Sequence, residues 1–376
     1  MAVITSPIAS PRRAPRTQVP PRMVVHAAMK VRAFLLRAAD RVLPSELALL
    51  EHSAGFSVGY LLAAMVELGI PDQLAGGPKT APELASTLRC DADALHRALR
   101  MGAVHGLVRL DKRGRFHATR LTKALAGDAP YALDQWCLFM ASGAHQAAWG
   151  DLAATLRTGE PAFRRVHGMS IFEWFDRHPA EGRAFAAGLS GLTLSEAPAI
   201  AASYAFPQSG TVCDVAGGVG VVLGEVLRQR PALRGILLEA SLVLPEAEQY
   251  LGSLGVADRV EFREGDLFGA FQVTADLYLM KWILHDWDDA ACLRILRTVV
   301  TAMPAGARLL VIEGVQDRTT VHPRFSPIDL QMLVVTENGR ERSVREMQDL
   351  LCAAGLRPTA VRYTPADLAL AEAVKG

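Results

Sequence analysis

From Ala54 to about Thr122 the apolar positions keep a helical period and then give way to a short extended stretch. Leu61, Leu62, Met65, Val66 and Leu68 recur at the spacing of one helical face. Thr80-Ala-Pro-Glu83 has the form of a capping box, in which a hydroxyl and a carboxylate each bond the other residue's backbone N–H, and it predicts a helix running towards Cys90. Asp91 is placed to cap another, through Leu95, Ala98 and Leu99 to Val104. Leu107–Leu110 and Arg115–Thr119 flank the turn-forming Asp111-Lys-Arg-Gly114, which predicts a β-hairpin. Short helices followed by a hairpin describe a winged helix. Residues 130–200 read as helical and carry scattered aromatic residues, among them Trp136, Phe139, Trp149, Phe163, Phe172, Trp174, Phe175 and Phe185. At this spacing most belong to a core, and some can line a ligand cavity. Beyond Thr211 short apolar runs alternate with helical stretches: Thr211–Val215, Gly235–Leu238, Val260–Phe262, Leu277–Met280 and Arg308–Ile312. That alternation predicts a parallel, doubly wound α/β sheet, with ligands at the carboxyl ends of the strands.

A chain of 376 residues is long enough for two domains. Half of the residues are hydrophobic and 21% are charged, an ordinary globular composition. Forty basic side chains against 39 acidic ones leave a formal charge of +1, so no global field favours nucleic acid or an anionic membrane. The predicted third helix of the winged helix offers Asp91, Asp93, His96, Arg97 and Arg100, a mixed face that suits a structural or dimerising use better than DNA reading. The five cysteines are far apart and include no C-x-x-C pair, which indicates neither a disulfide framework nor a zinc site and fits a reducing cytoplasm. No stretch is expected to supply the ~20 uninterrupted apolar residues of a membrane helix. Residues 1–39 contain no acid but several arginines and prolines, which reads as a loose basic arm, with a transit peptide as the other reading.

The first predicted strand ends in Asp214-Val-Ala-Gly-Gly-Val-Gly220 and runs straight into a helix, which places small residues where a backbone must turn tightly or approach a ligand. Read as a dinucleotide fingerprint from Gly218, the loop has Leu223 where the third glycine belongs, which weakens a nicotinamide reading. Glu239 follows the second strand, where a carboxylate can accept the hydroxyl hydrogens of a ribose. Gly265-Asp266-Leu267-Phe268 follows the third, where Asp266 can meet an adenine amino group or serve as a plain turn residue. The strand Leu277–Met280 delivers His285 just beyond the ligand edge, and a histidine there can take a proton from a bound hydroxyl. Glu313, at the end of the adjacent strand, is the first candidate to orient that ring, and Glu341 is the second. Asp286, Asp288 and Asp289 read as solvated charges at a helix start, not as metal ligands, because no second histidine stands at metal-binding spacing.

Asp214–Gly220, Gly265–Phe268, Met280-Lys-Trp-Ile-Leu-His-Asp-Trp287 and Asp329-Leu-Gln-Met-Leu333 with Gly339-Arg-Glu-Arg-Ser343 together resemble the S-adenosylmethionine-dependent O-methyltransferases of the plant caffeate and bacterial polyketide-tailoring type. The resemblance extends from about Ala54 to Lys375. It implies a winged-helix dimerisation domain before a Rossmann-like methyltransferase domain, and a homodimer in which the partner's N-terminal segment helps line the substrate pocket. The expected division is a basic flexible arm over 1–39, the dimerisation domain over 40–130, a helical linker and substrate-lining region over 131–205, and the methyltransferase domain over 206–376. By this resemblance Gly217, Gly218 and Gly220 support the methionine part of the cofactor, Glu239 the ribose, Asp266 and Leu267 the adenine, and Lys281 the cofactor's outer edge, with Asp214 a further cofactor-binding residue. His285 is then the base, flanked by Glu313 and Glu341. Trp136, Phe139, Met140, Phe163, Trp282, Asp329 and Met332 are expected around a small hydroxylated aromatic substrate, and no metal is expected. The sequence departs from the family's usual pattern at Ala216, where a glycine is common, at Glu239, where an aspartate is, and at Leu189, near a usual pocket methionine. Three rival readings are a same-fold enzyme diverged to hydroxylation, decarboxylation or cyclisation, a nicotinamide oxidoreductase, and a winged-helix DNA regulator.

Overall fold

The computed structural model describes residues 19–131 and 133–376, so the first part of the basic arm lies outside the described residues. The chain forms two compact units, and each is discontinuous. Among the described residues the first comprises 34–146 with 175–192, and the second 19–33, 147–174 and 193–376. The stretch 131–205, expected as one linker, is therefore shared between them.

In the first unit the local signals act as their chemistry dictates. Thr80 caps the helix Ala81–Leu88: its N–H donates to Glu83 at 2.6 Å and its hydroxyl accepts from the Glu83 N–H at 3.4 Å. Asp91 caps Ala92–Val104 by accepting from the Ala94 N–H at 2.8 Å. The hairpin pairs β1 (Val108–Leu110) with β2 (Phe116–Ala118), and Asp111 accepts the N–H groups of Arg113 and Arg115 across its turn. Gly114, at φ 75, supplies the left-handed residue this turn needs. Leu61, Met65, Leu74, Leu84, Leu99 and Phe116 meet in the core beneath. Phe139 is buried in a separate aromatic group, with ring centroids 4.9 Å from Phe185, 5.1 Å from His145 and 5.6 Å from Trp136.

Two expectations need correction. Residues 22–39, expected as loose, belong to a helix, Arg22–Val42. After Pro21 the chain has neither proline nor glycine until Pro44, and alanine, leucine, methionine and arginine favour helix throughout. A membrane-length run does occur: Ser45–Glu67 is long and apolar enough to cross a membrane by length and composition alone. It consists of the helices Ser45–Ala54 and Phe56–Glu67 meeting at Gly55, and Glu46, Glu51 and His52 interrupt its apolar positions.

The second unit is built on a seven-stranded sheet in the order β5-β4-β3-β6-β7-β9-β8. Five strands are parallel and match the alternation read from the sequence: β3 (Ser209–Val215), β4 (Ala232–Glu239), β5 (Val260–Glu264), β6 (Leu277–Lys281) and β7 (Arg308–Glu313). The central strands are buried on both faces, with Val212, Cys213, Leu237, Leu279 and Leu310 fully enclosed, whereas the edge strand β5 is half-buried to exposed along its length. The remaining two, β8 (Leu356–Tyr363) and β9 (Ala369–Lys375), are antiparallel additions that the expected parallel sheet lacks. β9 reads Ala-Leu-Ala-Glu-Ala-Val-Lys, a composition of good helix formers, and pairing along β7 and β8 overrides that preference. The strand order runs outward in both directions from the β3–β6 pair, and in doubly wound sheets ligands bind at such a switch point.

Candidate active site

β3 delivers Asp214 to the switch point, and the loop that follows turns through Ala216, Gly218 and Gly220 at φ 51, 58 and 78 before the helix Val221–Gln229. The positive φ at Ala216 explains why a glycine is easier there: a side chain in this region costs ~1–2 kcal/mol. Gly217 is required by space. A Cβ there would collide with the Asp214 carboxyl and come 2.8 Å from Leu237. At Gly218 the same position is open, so the loop presents bare backbone to the crevice. Asp214 is buried, burial pushes its carboxyl up to about 7, and its Oδ2 has no hydrogen-bond partner. An orphaned carboxylate oxygen beside an open glycine backbone fits a ligand that brings a cationic amino group, as the methionine part of S-adenosylmethionine does.

Glu239 ends β4 half-buried; its carboxylate accepts from the N–H groups of Gly218 and Ala240, each at 2.8 Å, while burial raises its pKa. It thus lies against the glycine loop. Gly265 follows β5 because a Cβ would press on Leu238 at 2.5 Å, and its N–H donates to the Glu239 carbonyl at 3.1 Å. Asp266 is exposed and accepts from the Phe268 N–H at 2.9 Å, the turn role its residue type also suggests; Leu267 packs on the sheet core.

The segment around His285 differs from expectation in an instructive way. Glu313 does not hold the His285 ring. One of its oxygens accepts three successive backbone N–H groups, from Ile283 at 3.1 Å, Leu284 at 2.6 Å and His285 at 3.3 Å. Glu341 holds the ring, with its Oε1 2.9 Å from Nδ1. Glu341 is itself set by its own N–H, which donates to Asp329 at 2.8 Å, and burial together with the Asp329 charge pushes its carboxyl up to about 8. The carbonyls of the same turn are gripped from the other side: Arg342, fully buried, donates to Leu284 O at 2.6 Å and Trp287 O at 2.7 Å while its Nε bonds Asp289. Asp286, expected as a solvated charge, is half-buried with Oδ1 3.6 Å from His285 Nε2, and burial raises its carboxyl to about 6. Asp288 does cap a helix, accepting from Ala291 N–H at 2.7 Å.

Lys281, expected at the cofactor's outer edge, is buried in an ion pair with Glu196 at 2.9 Å and donates to Thr193 at 3.0 Å; the Asp214 charge still reaches it. Trp282 lies with its ring 4.7 Å from that of His285. Of the expected substrate-lining residues, Met332 and Asp329 share the helix Phe325–Val335, and Phe163 is buried against His167 and Trp174. Trp136, Phe139 and Met140 belong to the first unit; the Met140 carbonyl accepts from Gln146 at 2.6 Å. Glu196, Arg342 and Asp286 are the residues that sequence reasoning misses. No cluster suited to a metal ion occurs among the described residues.

Comparison with known proteins identifies this arrangement. Residues 149–357 match the O-methyltransferase domain model and residues 50–128 the O-methyltransferase dimerisation domain model. The chain is similar to the mitomycin biosynthesis 6-O-methyltransferase of Streptomyces lavendulae, 38% identical over 78% of this chain and 83% of that protein. Its structure resembles that of the mitomycin 7-O-methyltransferase, with a TM-score of 0.82 and 34% identity over 91% of this chain and all of that one. It also resembles human N-acetylserotonin methyltransferase in complex with S-adenosylmethionine, with a TM-score of 0.81 and 26% identity over 89% and 98% of the two chains. With its dimerisation domain, its mostly parallel sheet and its glycine loop at the switch point, the chain belongs to the S-adenosylmethionine-dependent O-methyltransferase family.

Proposed function

We propose that this enzyme methylates a hydroxyl of a small aromatic natural product, with His285 as the general base. The observation that carries this reading is the 2.9 Å contact between His285 Nδ1 and the buried Glu341. When Nδ1–H donates to that carboxylate, the Nε2 lone pair is left for a substrate proton. S-adenosylmethionine supplies a methyl group already activated on a sulfonium. What remains for the chain is to align an oxygen and to deprotonate it. A phenol, with an unperturbed pKa of ~10, is mostly protonated at neutral pH, which gives His285 its task. Glu341 keeps the ring in the useful tautomer and stabilises the imidazolium, and Glu313 fixes the backbone on which the ring is mounted. Asp214, Gly217, Gly218, Gly220 and Glu239 hold the cofactor, with Asp266, Leu267 and Lys281 at its periphery. Phe163, Trp282, Asp329 and Met332 serve the substrate from the second unit.

The names of the relatives support the substrate class. They include a 3-amino-4-hydroxybenzoate 4-O-methyltransferase and a 2,7-dihydroxy-5-methyl-1-naphthoate 7-O-methyltransferase, 32% and 31% identical to this chain. We further assign the winged-helix unit to a homodimer in the cytoplasm, not to DNA or a membrane. The helices Arg22–Val42, Ser45–Ala54 and Phe56–Glu67 expose Phe34, Leu35, Leu49, Leu50 and Phe56, an apolar surface that a second copy would cover.

The test is methyl transfer from labelled S-adenosylmethionine to a panel of hydroxybenzoates, hydroxynaphthoates and hydroxyquinones. His285→Gln should lower turnover ~10²–10⁴-fold while calorimetric cofactor affinity stays within ~3-fold. Near-native turnover of His285→Gln at pH 7 would show that alignment alone carries the reaction.

A further inference from the structure

The segment that ends in His285 begins with two residues that the role of the base does not explain. Trp282 stands at φ 55, a left-handed conformation that a bulky residue keeps only where its surroundings over-determine it. Its N–H donates to Ile312 O at 3.1 Å, which fixes the backbone to β7, and its ring lies 4.7 Å from that of His285 and 6.2 Å from that of Phe325. Lys281, immediately before it, keeps only 8% of its side chain exposed.

Both residues lead to Glu196, a carboxylate on the helix Pro179–Ser203 with 5% of its side chain exposed. Glu196 Oε2 pairs with Lys281 Nζ at 2.9 Å and accepts the Trp282 indole N–H at 3.4 Å; Oε1 pairs with Arg324. Arg324 in turn precedes the helix Phe325–Val335, whose Asp329 accepts the Glu341 N–H. One buried carboxylate therefore ties the end of β6, the indole behind His285, and the start of the helix that supports Glu341. A buried ion pair is a weak device for stability, since apolar residues of like volume often do as well, and its better-attested use is to fix one arrangement among several.

We propose that Glu196 is a positioning residue for methyl transfer: through Lys281, Trp282 and Arg324 it sets the wall against which the His285 ring is held. The proposal rests on His285 as the base. It assigns no contact between Glu196 and the reacting atoms.

The experiment is a double-mutant cycle of Glu196→Gln and Trp282→Phe, with His285→Gln alongside, read as kcat on the phenol that the unaltered enzyme methylates fastest. S-adenosylhomocysteine affinity is measured by calorimetry, and folding by circular dichroism. Glu196→Gln keeps shape but removes the charge that gathers the two cations, and kcat should fall ~10–100-fold with S-adenosylhomocysteine affinity within ~3-fold. Trp282→Phe should lose ~10-fold, and the double variant should be no worse than Glu196→Gln alone, because both act through one contact. Native kcat in folded Glu196→Gln, or losses that multiply in the double variant, would overturn the proposal. Should Glu196→Gln fail to fold, Trp282→Phe decides alone, and native turnover there overturns it. A large loss in His285→Gln beside native Glu196→Gln defeats this proposal only; native turnover in His285→Gln defeats the base reading and this proposal with it.

Discussion

Glu341 and Glu313 are both buried glutamates beside His285, yet the structure gives them different work, and replacing each by glutamine should separate the two. Glu341 faces Nδ1 at 2.9 Å and its carboxyl is raised to about 8, so in the ionised fraction of the enzyme the imidazolium and carboxylate charges formed on proton transfer stand about 4 Å apart; at an effective dielectric of ~20 their attraction is ~4 kcal/mol. Losing it corresponds to ~10³-fold in rate. A glutamine whose amide donates to Nδ1 would also favour the tautomer protonated on Nε2, which is not a base, and in triads of this kind the wrong tautomer costs ~10⁴-fold. Turnover of Glu341→Gln should therefore fall ~10³–10⁴-fold. Its folding stability should change little, because burial already pushes this carboxyl up to about 8 and its Oε2 has no hydrogen-bond partner. Glu313→Gln has the opposite signature. Three N–H bonds to a charged oxygen become bonds to a neutral one, at ~0.5–1 kcal/mol each, a loss of ~2 kcal/mol and ~4–8 °C in Tm for a unit of this size. Thermal unfolding and kcat measured on both variants settle the division. If Glu313→Gln loses more turnover than Glu341→Gln at matched stability, the assignment of the two roles is wrong.

Stability of the ligand-free enzyme should be greatest near pH ~4–5 and decline from there towards pH ~8. Asp286, Asp214 and Glu341 are raised by burial to about 6, 7 and 8, so above their ordinary range the folded chain binds more protons than the unfolded one, and stability falls by ~1.4 kcal/mol per pH unit for each group in its window. Asp289 and Glu196, held low by their cationic partners, lose their contribution only in more acidic solution. Differential scanning fluorimetry should show the decline, and Asp214→Asn should make it about a third shallower up to pH ~6 while weakening cofactor binding at least ~10-fold; a flat profile for the unaltered chain would refute the burial argument. Light scattering at micromolar concentration should give about twice the 40.5 kDa chain mass, and the mass of a single chain would dismiss the dimer.

Much of this architecture is legible in the sequence because it follows from local chemistry. The Thr80 capping box, the Asp91 cap, the Asp111 turn and the parallel strands each announce themselves through residue type at fixed spacing. The glycine loop is legible for the same reason. What escapes is set by long-range pairing. β9 carries helix-forming residues and becomes a strand only along β7 and β8. Glu313 is the natural partner for His285 by strand adjacency, but its carboxylate turns into the backbone of the intervening residues, and the ring is met by Glu341 from a loop after the next helix. Glu196 belongs to no motif at all, and only the folded chain shows two cations converging on it.

The position of β9 has a consequence for how the chain is made. It lies between β7 and β8, and Lys375 bonds both the Val300 and Met303 carbonyls, yet it is the last strand in chain order. During vectorial synthesis β3 to β7 can assemble as residues emerge, but the open edge of β7, with its apolar Leu309–Ile312, stays without a neighbour until residues 369–375 arrive. Strand pairing that depends on such distant sequence is slow and exposed to aggregation while it waits. The nascent enzyme thus passes through a stage at which its sheet can recruit any extended segment within reach, and its own final strand must win that competition.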